Sequence, residues 1–94
     1  MNAIDDTMPK ELFDCVNKAN DDPSVHVIVL SGAGSAFCTG YDLTYYAQQN
    51  NPQAVQEMPW DPLKDYTFMK RNTEYFMSLF HSPKPTLCQV HGHA

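Results

Sequence analysis

The chain has 94 residues, which is enough for one domain. With 43% hydrophobic and 12% aromatic residues it has the makeup of a folding sequence rather than a disordered one. Six basic residues against eleven acidic ones leave a formal charge of −5, which argues against the Lys/Arg-rich surface that nucleic acid or an anionic membrane requires.

Cys15, Cys38 and Cys88 are odd in number, widely spaced and without a CxxC pair. That speaks against a disulfide framework or a zinc knuckle, and buried free thiols are the expectation. The N-terminal residues lack a basic stretch followed by an apolar one, as a secretory signal would have. No apolar run approaches the ~20 residues of a membrane span. The expectation is a soluble protein of the cytoplasm, or of a mitochondrion or peroxisome in a eukaryote.

Residues 6 to 20 read as a helix. Met8, Leu12, Cys15, Val16 and Ala19 make one apolar stripe. Asp6 or Thr7 can cap it, Pro9 fits its first turn, and Asp22-Pro23 ends it. Val25–Leu30, VHVIVL, is a β-branched run between Pro23 and Ser31-Gly32. Its uniform apolarity predicts a strand covered on both faces, and helix, strand and glycine turn in sequence give an α/β rhythm.

Ser31 to Gly40 is a loop with three glycines. A short helix is expected from Asp42 to about Gln49. Asn50 to Pro62 is polar and broken by Pro52, Pro59 and Pro62, so most of it reads as loop. Asp65 to Phe80 reads as a second long helix, stopped by Ser82-Pro83-Lys84-Pro85. Thr86–Val90, TLCQV, is a second strand running into Gly92. Trp60, Tyr66, Phe68, Tyr75, Phe76 and Phe80 are candidates for core and subunit contact. A strand-and-turn ending at His91–Ala94 and a helix close behind Met1 suggest a sequence incomplete at both ends.

The stretch Val25–Leu43, VHVIVLSGAGSAFCTGYDL, carries the most information. A buried strand feeding a glycine-rich loop and then a helix start exposes backbone N–H groups, which stabilise anions. A dinucleotide fingerprint would need Gly or Ala three residues beyond Gly34, where this chain has Phe37. The other reading is an oxyanion hole, with N–H groups around Gly40–Tyr41 bonding a developing thioester enolate. The bland alternative is a plain strand-to-helix connection.

The stretch resembles the signature of the crotonase superfamily, the enoyl-CoA hydratase/isomerase family. The matching residues are Gly32, Gly34, Ala36, Phe37, Cys38, Thr39, Gly40, Tyr41, Asp42 and Leu43. Asn2-Ala3-Ile4 is similar to the element before that family's first helix, and Lys84-Pro85 through Val90-His91-Gly92-His93-Ala94 to the segment before its second glycine turn. Essentially the whole chain is covered. The resemblance implies an α/β fold, part of a crotonase-like β-β-α spiral, with residues 1–94 as a partial domain.

It further implies an enzyme that binds an acyl-CoA and needs no cofactor beyond that thioester substrate. Tyr41 takes the place whose backbone N–H is the first oxyanion donor. Gly40, Asp42 and Leu43 flank it in the acyl-CoA pocket, and Ala3 and Ile4 lie near the CoA moiety. The second donor and the acid/base carboxylates are expected beyond Ala94, so Glu11, Glu57 and Glu74 are read as solvated and the chain alone as inactive. Hydration of a 2-enoyl-CoA is the leading reaction and double-bond isomerisation the next. The family's subunits assemble as trimers or hexamers. A non-catalytic piece needing a partner chain is the alternative. His91-Gly92-His93 offers an H-x-H pair without a third ligand, which makes no metal site.

Overall fold

The computed structural model describes residues 2–42 and 61–94. Four elements follow in order: helix α1 (Met8–Asp21), strand β1 (Ile28–Ser31), helix α2 (Pro62–Met77) and strand β2 (Thr86–Gln89). The α/β expectation holds. The short helix expected from Asp42 to Gln49, most of the proline-broken segment, Leu43, Glu57 and Trp60 lie outside the described residues.

Helix α1 begins two residues later than expected, and neither Asp6 nor the Thr7 side chain caps it. The carboxylate of Asp5 does so instead. Its Oδ1 accepts from the Thr7 N–H at 3.0 Å, the Met8 N–H at 3.0 Å and the Thr7 hydroxyl at 2.9 Å. Burial pushes this carboxyl up, but the Met8 and Thr7 bonds outweigh it and hold Asp5 below its ordinary value of 3.8. Pro9 sits in the first turn, where its missing N–H leaves nothing unpaired.

Val16 is 2% exposed and marks the centre of the buried face of α1. Consecutive helical residues lie about 100° apart. Cys15 therefore turns to solvent rather than joining the stripe, contrary to expectation. At the other end of α1, Lys84 closes the helix. Its Nζ donates to the Ala19 carbonyl at 2.8 Å and the Asp22 carbonyl at 2.6 Å. A cation on the last carbonyls meets the negative end of the helix dipole. The Ser82 hydroxyl adds a bond to Asn20 Oδ1 at 2.9 Å.

Helix α2 starts three residues before the expected Asp65. Asp61 caps it by accepting from the Leu63 N–H at 2.9 Å, and Pro62 is its first residue. The proline read as a loop breaker is thus a helix starter, the one interior use the ring allows. α2 packs on α1 through the Phe13 and Tyr75 rings, whose centroids are 5.2 Å apart. Tyr66 and Phe80, candidates for core and subunit contact, are 63% and 75% exposed in the single chain and so lie outside its core. Asn72 is 3% exposed, and its Nδ2 has no hydrogen-bond partner.

β1 and β2 pair in parallel, with Ile28 opposite Thr86 and Leu30 opposite Cys88. A parallel pair needs a crossover, and the segment containing α2 supplies it. Leu30 and Cys88 face the helices across an apolar cavity of about 580 Å³, bordered also by Met8, Leu12, Phe76 and Leu79. Because that cavity is open, Cys88 is exposed, where a buried thiol was expected. The other sheet face is bare: Val29 and its register partner Leu87 are 55% and 61% exposed. The expected cover on both faces is absent among the described residues, because α1 and α2 both lie on the Leu30 side. No described helix is long and apolar enough to cross a membrane.

Candidate functional site

Past Ser31 the chain folds back on itself at once. A Cβ on Gly32 would stand 2.6 Å from each of Ala36 O, Phe37 Cα and Phe37 O, so glycine is required there. Gly34 turns the loop at φ +80, and Ala36 ends 1% exposed. The loop is then fastened on two sides. The Phe37 and Cys38 N–H groups both donate to the His93 carbonyl, at 2.8 and 3.2 Å. His91 Nε2 donates to the Gly34 carbonyl at 2.8 Å. Between the two histidines, Gly92 at φ +62 is packed against the Ser35 carbonyl.

From the opposite side Asn2 reaches in. Its Nδ2 donates to the carbonyls of Ala33 at 2.9 Å, Ala36 at 3.0 Å and Phe37 at 3.1 Å. Asn2 holds φ +55, a left-handed conformation that Asn tolerates better than most residues. Sequence reading placed Asn2 in a family element but gave its side chain no role. The available signal was an amide, rich in donors, set ahead of a loop whose carbonyls lack a regular ladder.

Beyond Cys38 the chain turns through Gly40 at φ +87, whose N–H donates to Cys38 Sγ at 3.4 Å. It then forms a single parallel bridge with the N-terminal segment, Ile4 opposite Tyr41. The Ile4 N–H donates to the Gly40 carbonyl at 2.7 Å, and the Asp42 N–H donates to the Ile4 carbonyl at 2.8 Å. In such a bridge the flanking residues face the partner. The N–H of the central residue, Tyr41, is therefore directed to the side away from Ile4.

Of the sequence-predicted site residues, Ile4, Gly40, Tyr41 and Asp42 are brought into one bonded cluster. Ala3 lies beside it in sequence and is partly buried. Leu43 lies outside the described residues. Glu11 and Glu74 are exposed on α1 and α2. Among the described residues no three His, Cys, Asp or Glu side chains converge to hold a metal. The His91 ring and the His93 backbone carbonyl are both bonded to the glycine loop.

Among the described residues the geometry defines an α/β unit whose polar centre is a glycine loop made of backbone groups. A family model for enoyl-CoA hydratase/isomerase matches residues 1–94. The chain belongs to that family. It is 33% identical over 93 residues to the probable enoyl-CoA hydratase EchA14 of Mycobacterium tuberculosis, covering 99% of this chain and 32% of that protein. It is 33% identical over 94 residues to the human mitochondrial Delta(3,5)-Delta(2,4)-dienoyl-CoA isomerase, covering 97% of this chain and 28% of that protein. The crystal structure of an enoyl-CoA hydratase from Mycobacterium smegmatis superposes with a TM-score of 0.79 at 41% identity, over 96% of this chain and 32% of that one. The chain thus spans about a third of the length of the relatives it matches. Its fold is the corresponding part of the crotonase fold.

Proposed function

We propose that the chain serves an acyl-CoA enzyme that stabilises a thioester enolate in a backbone oxyanion hole, and that the reaction is hydration of a 2-enoyl-CoA. The observation that carries this is the Ile4–Tyr41 bridge. It fixes Gly40 and Asp42 through their backbone groups and turns the Tyr41 N–H toward the opposite side. A donor held in place before reaction stabilises charge that appears only in the transition state. Losing one such donor costs about 2.7–4 kcal/mol, or roughly 10²–10³ in kcat.

In this reading the thioester carbonyl accepts from Tyr41 and lies along Gly40, Asp42 and Leu43, with the CoA moiety near Ala3 and Ile4. Water adds its oxygen at C3 and a proton reaches C2. Both transfers need acid/base carboxylates, and in this reading Glu11 and Glu74, exposed on α1 and α2, do not supply them. In this reading the chain alone binds the thioester without turning it over, and the CoA thioester is the substrate with no further cofactor. The working form is a homo-oligomer, trimer or hexamer. Isomerisation of the double bond would use the same oxyanion donors for a different anion: a C2 proton leaves a 3-enoyl thioester, the dienolate forms, and a proton returns at C4 with no water added. Relatives bearing both activities in their names are compatible with either.

A second reading is a piece that functions only with a partner chain, as the bare Val29–Leu87 sheet face favours. Titration with acetoacetyl-CoA separates these. Its enolate absorbs in the near ultraviolet, so an oxyanion site raises that band on binding. A band unchanged at saturation refutes the thioester reading. Binding of CoA without the acyl group at equal strength also refutes it.

A further inference from the structure

The bonds around the glycine loop converge on one side chain, Asn2. We propose that Asn2 is the positioning residue of the oxyanion loop: its amide sets the loop against the Ile4–Tyr41 bridge and so aims the Tyr41 N–H. This rests on the thioester reading above but assigns a role to a residue that reading left without one. Three observations carry it.

First, one amide nitrogen gathers three carbonyls, those of Ala33, Ala36 and Phe37, which lie 31 to 35 residues away in sequence. Two N–H hydrogens shared among three acceptors tie the start and end of the loop to a single point. Second, the same short segment grips the chain on both sides of the turn. The Asn2 side chain holds residues 33–37, and two residues later the Ile4 backbone holds Gly40 and Asp42. The intervening Cys38–Thr39 link thus runs between two anchors on one short strand of backbone, which leaves little freedom for Tyr41. Third, Asn2 sits at φ +55. Few side chains other than Asn, Asp and Gly accept that conformation readily, and of those only Asn brings N–H donors.

The conformation supplies its own controls. Asn2→Gly keeps the left-handed backbone and removes the amide. Asn2→Asp keeps the shape and φ but sets a carboxylate against three carbonyl oxygens. In both variants the clamp is lost without backbone strain. The experiment uses the full chain labelled with nitrogen-15. Hydrogen exchange is followed at Phe37, Cys38, Gly40 and Asp42, with Val16 in α1 as the internal reference, and the acetoacetyl-CoA enolate band is recorded in parallel. Both variants are expected to speed exchange at the loop amides about tenfold while Val16 is unchanged. Both should also reduce the enolate band at saturation by a factor of about ten or more, Asp more than Gly.

Unchanged loop exchange in Asn2→Asp overturns the clamp. Equal acceleration at Val16 overturns it as well, because the side chain would then support the whole fold and not the loop. Faster loop exchange with an undiminished enolate band overturns the aiming role. If the unaltered chain gives no enolate band, the thioester reading has failed, and the exchange data still decide whether Asn2 holds the loop.

Discussion

Gly32 and Gly34 lie two residues apart in one loop, and the structure requires glycine at each for a different reason. At Gly34 the backbone is left-handed, φ +80, but a Cβ would meet nothing within 4 Å. Gly34→Ala should therefore cost only the conformational penalty, about 1–2 kcal/mol. Gly34→Asn should cost less than Ala, since Asn enters that region more easily. At Gly32 a Cβ would lie 2.6 Å from three backbone atoms of Ala36 and Phe37. Real Cβ atoms essentially never come within 3.0 Å, so those atoms must retreat by some tenths of an ångström. They cannot do so cheaply. Ala36 is 1% exposed, and both carbonyls are engaged by Asn2. Overpacking of this kind costs about 1–3 kcal/mol and sometimes more, with the Asn2 bonds lost on top. At mid-range values, about 2 kcal/mol of overpacking and about 1 for each of the two Asn2 bonds stand against about 1.5 at Gly34, so Gly32→Ala should cost about 2 kcal/mol more than Gly34→Ala. Urea unfolding followed by far-ultraviolet circular dichroism measures the difference, provided the slopes match. A Gly34→Ala penalty equal to or larger than that of Gly32→Ala would refute the reasoning. So would a Gly34→Asn variant no better than Ala.

Three further outcomes are expected. Asn72→Leu should raise the urea midpoint by an amount worth about 1 kcal/mol, because it replaces a buried amide nitrogen that lacks a partner with an apolar group of similar size; a lowered midpoint counts against this. Lys84→Met removes both bonds to the α1 carbonyls and should cost about 1–3 kcal/mol, seen as faster amide exchange confined to the last turn of α1. Asp5 titrates below its ordinary 3.8 in the folded chain, so its cap stabilises α1 above that pH and is lost as pH falls through the lower folded value. Helicity should hold at neutral pH and drop in acid, and Asp5→Asn should flatten that part of the acid profile; a variant that melts in acid as the unaltered chain does would show that Asp5 is not the cap.

Much of the fold was legible because periodicity and punctuation agreed. The stripe through Met8, Leu12 and Val16 and the prolines at 9 and 83 frame the helices and strands within a few residues. What could not be read was direction and cover. VHVIVL is apolar throughout, so the pattern does not say that Val29 faces outward while Leu30 faces α1. Pro62 has the same letter whether it breaks a loop or begins a helix, and only the Asp61 cap decides. In the candidate site the turns were legible at Gly32, Gly34 and Gly40, where backbone geometry favours glycine. The bond from Asn2 to the loop was not, because a side chain reaching across 31 residues leaves no local pattern.

The glycine loop is held by residues that come early and late in the sequence, and this has a consequence for synthesis. Asn2 exists before the loop is made, so its amide can meet Ala33 and Phe37 as soon as they clear the ribosome. His91 follows Gly34 by 57 residues. At about 5–20 residues per second that is a wait of roughly 3–11 s. During that interval β1 has no β2 to pair with, since a parallel partner lies far along the chain. The nascent loop is therefore tethered from one side only, and its second fastening arrives in the same stroke as the sheet.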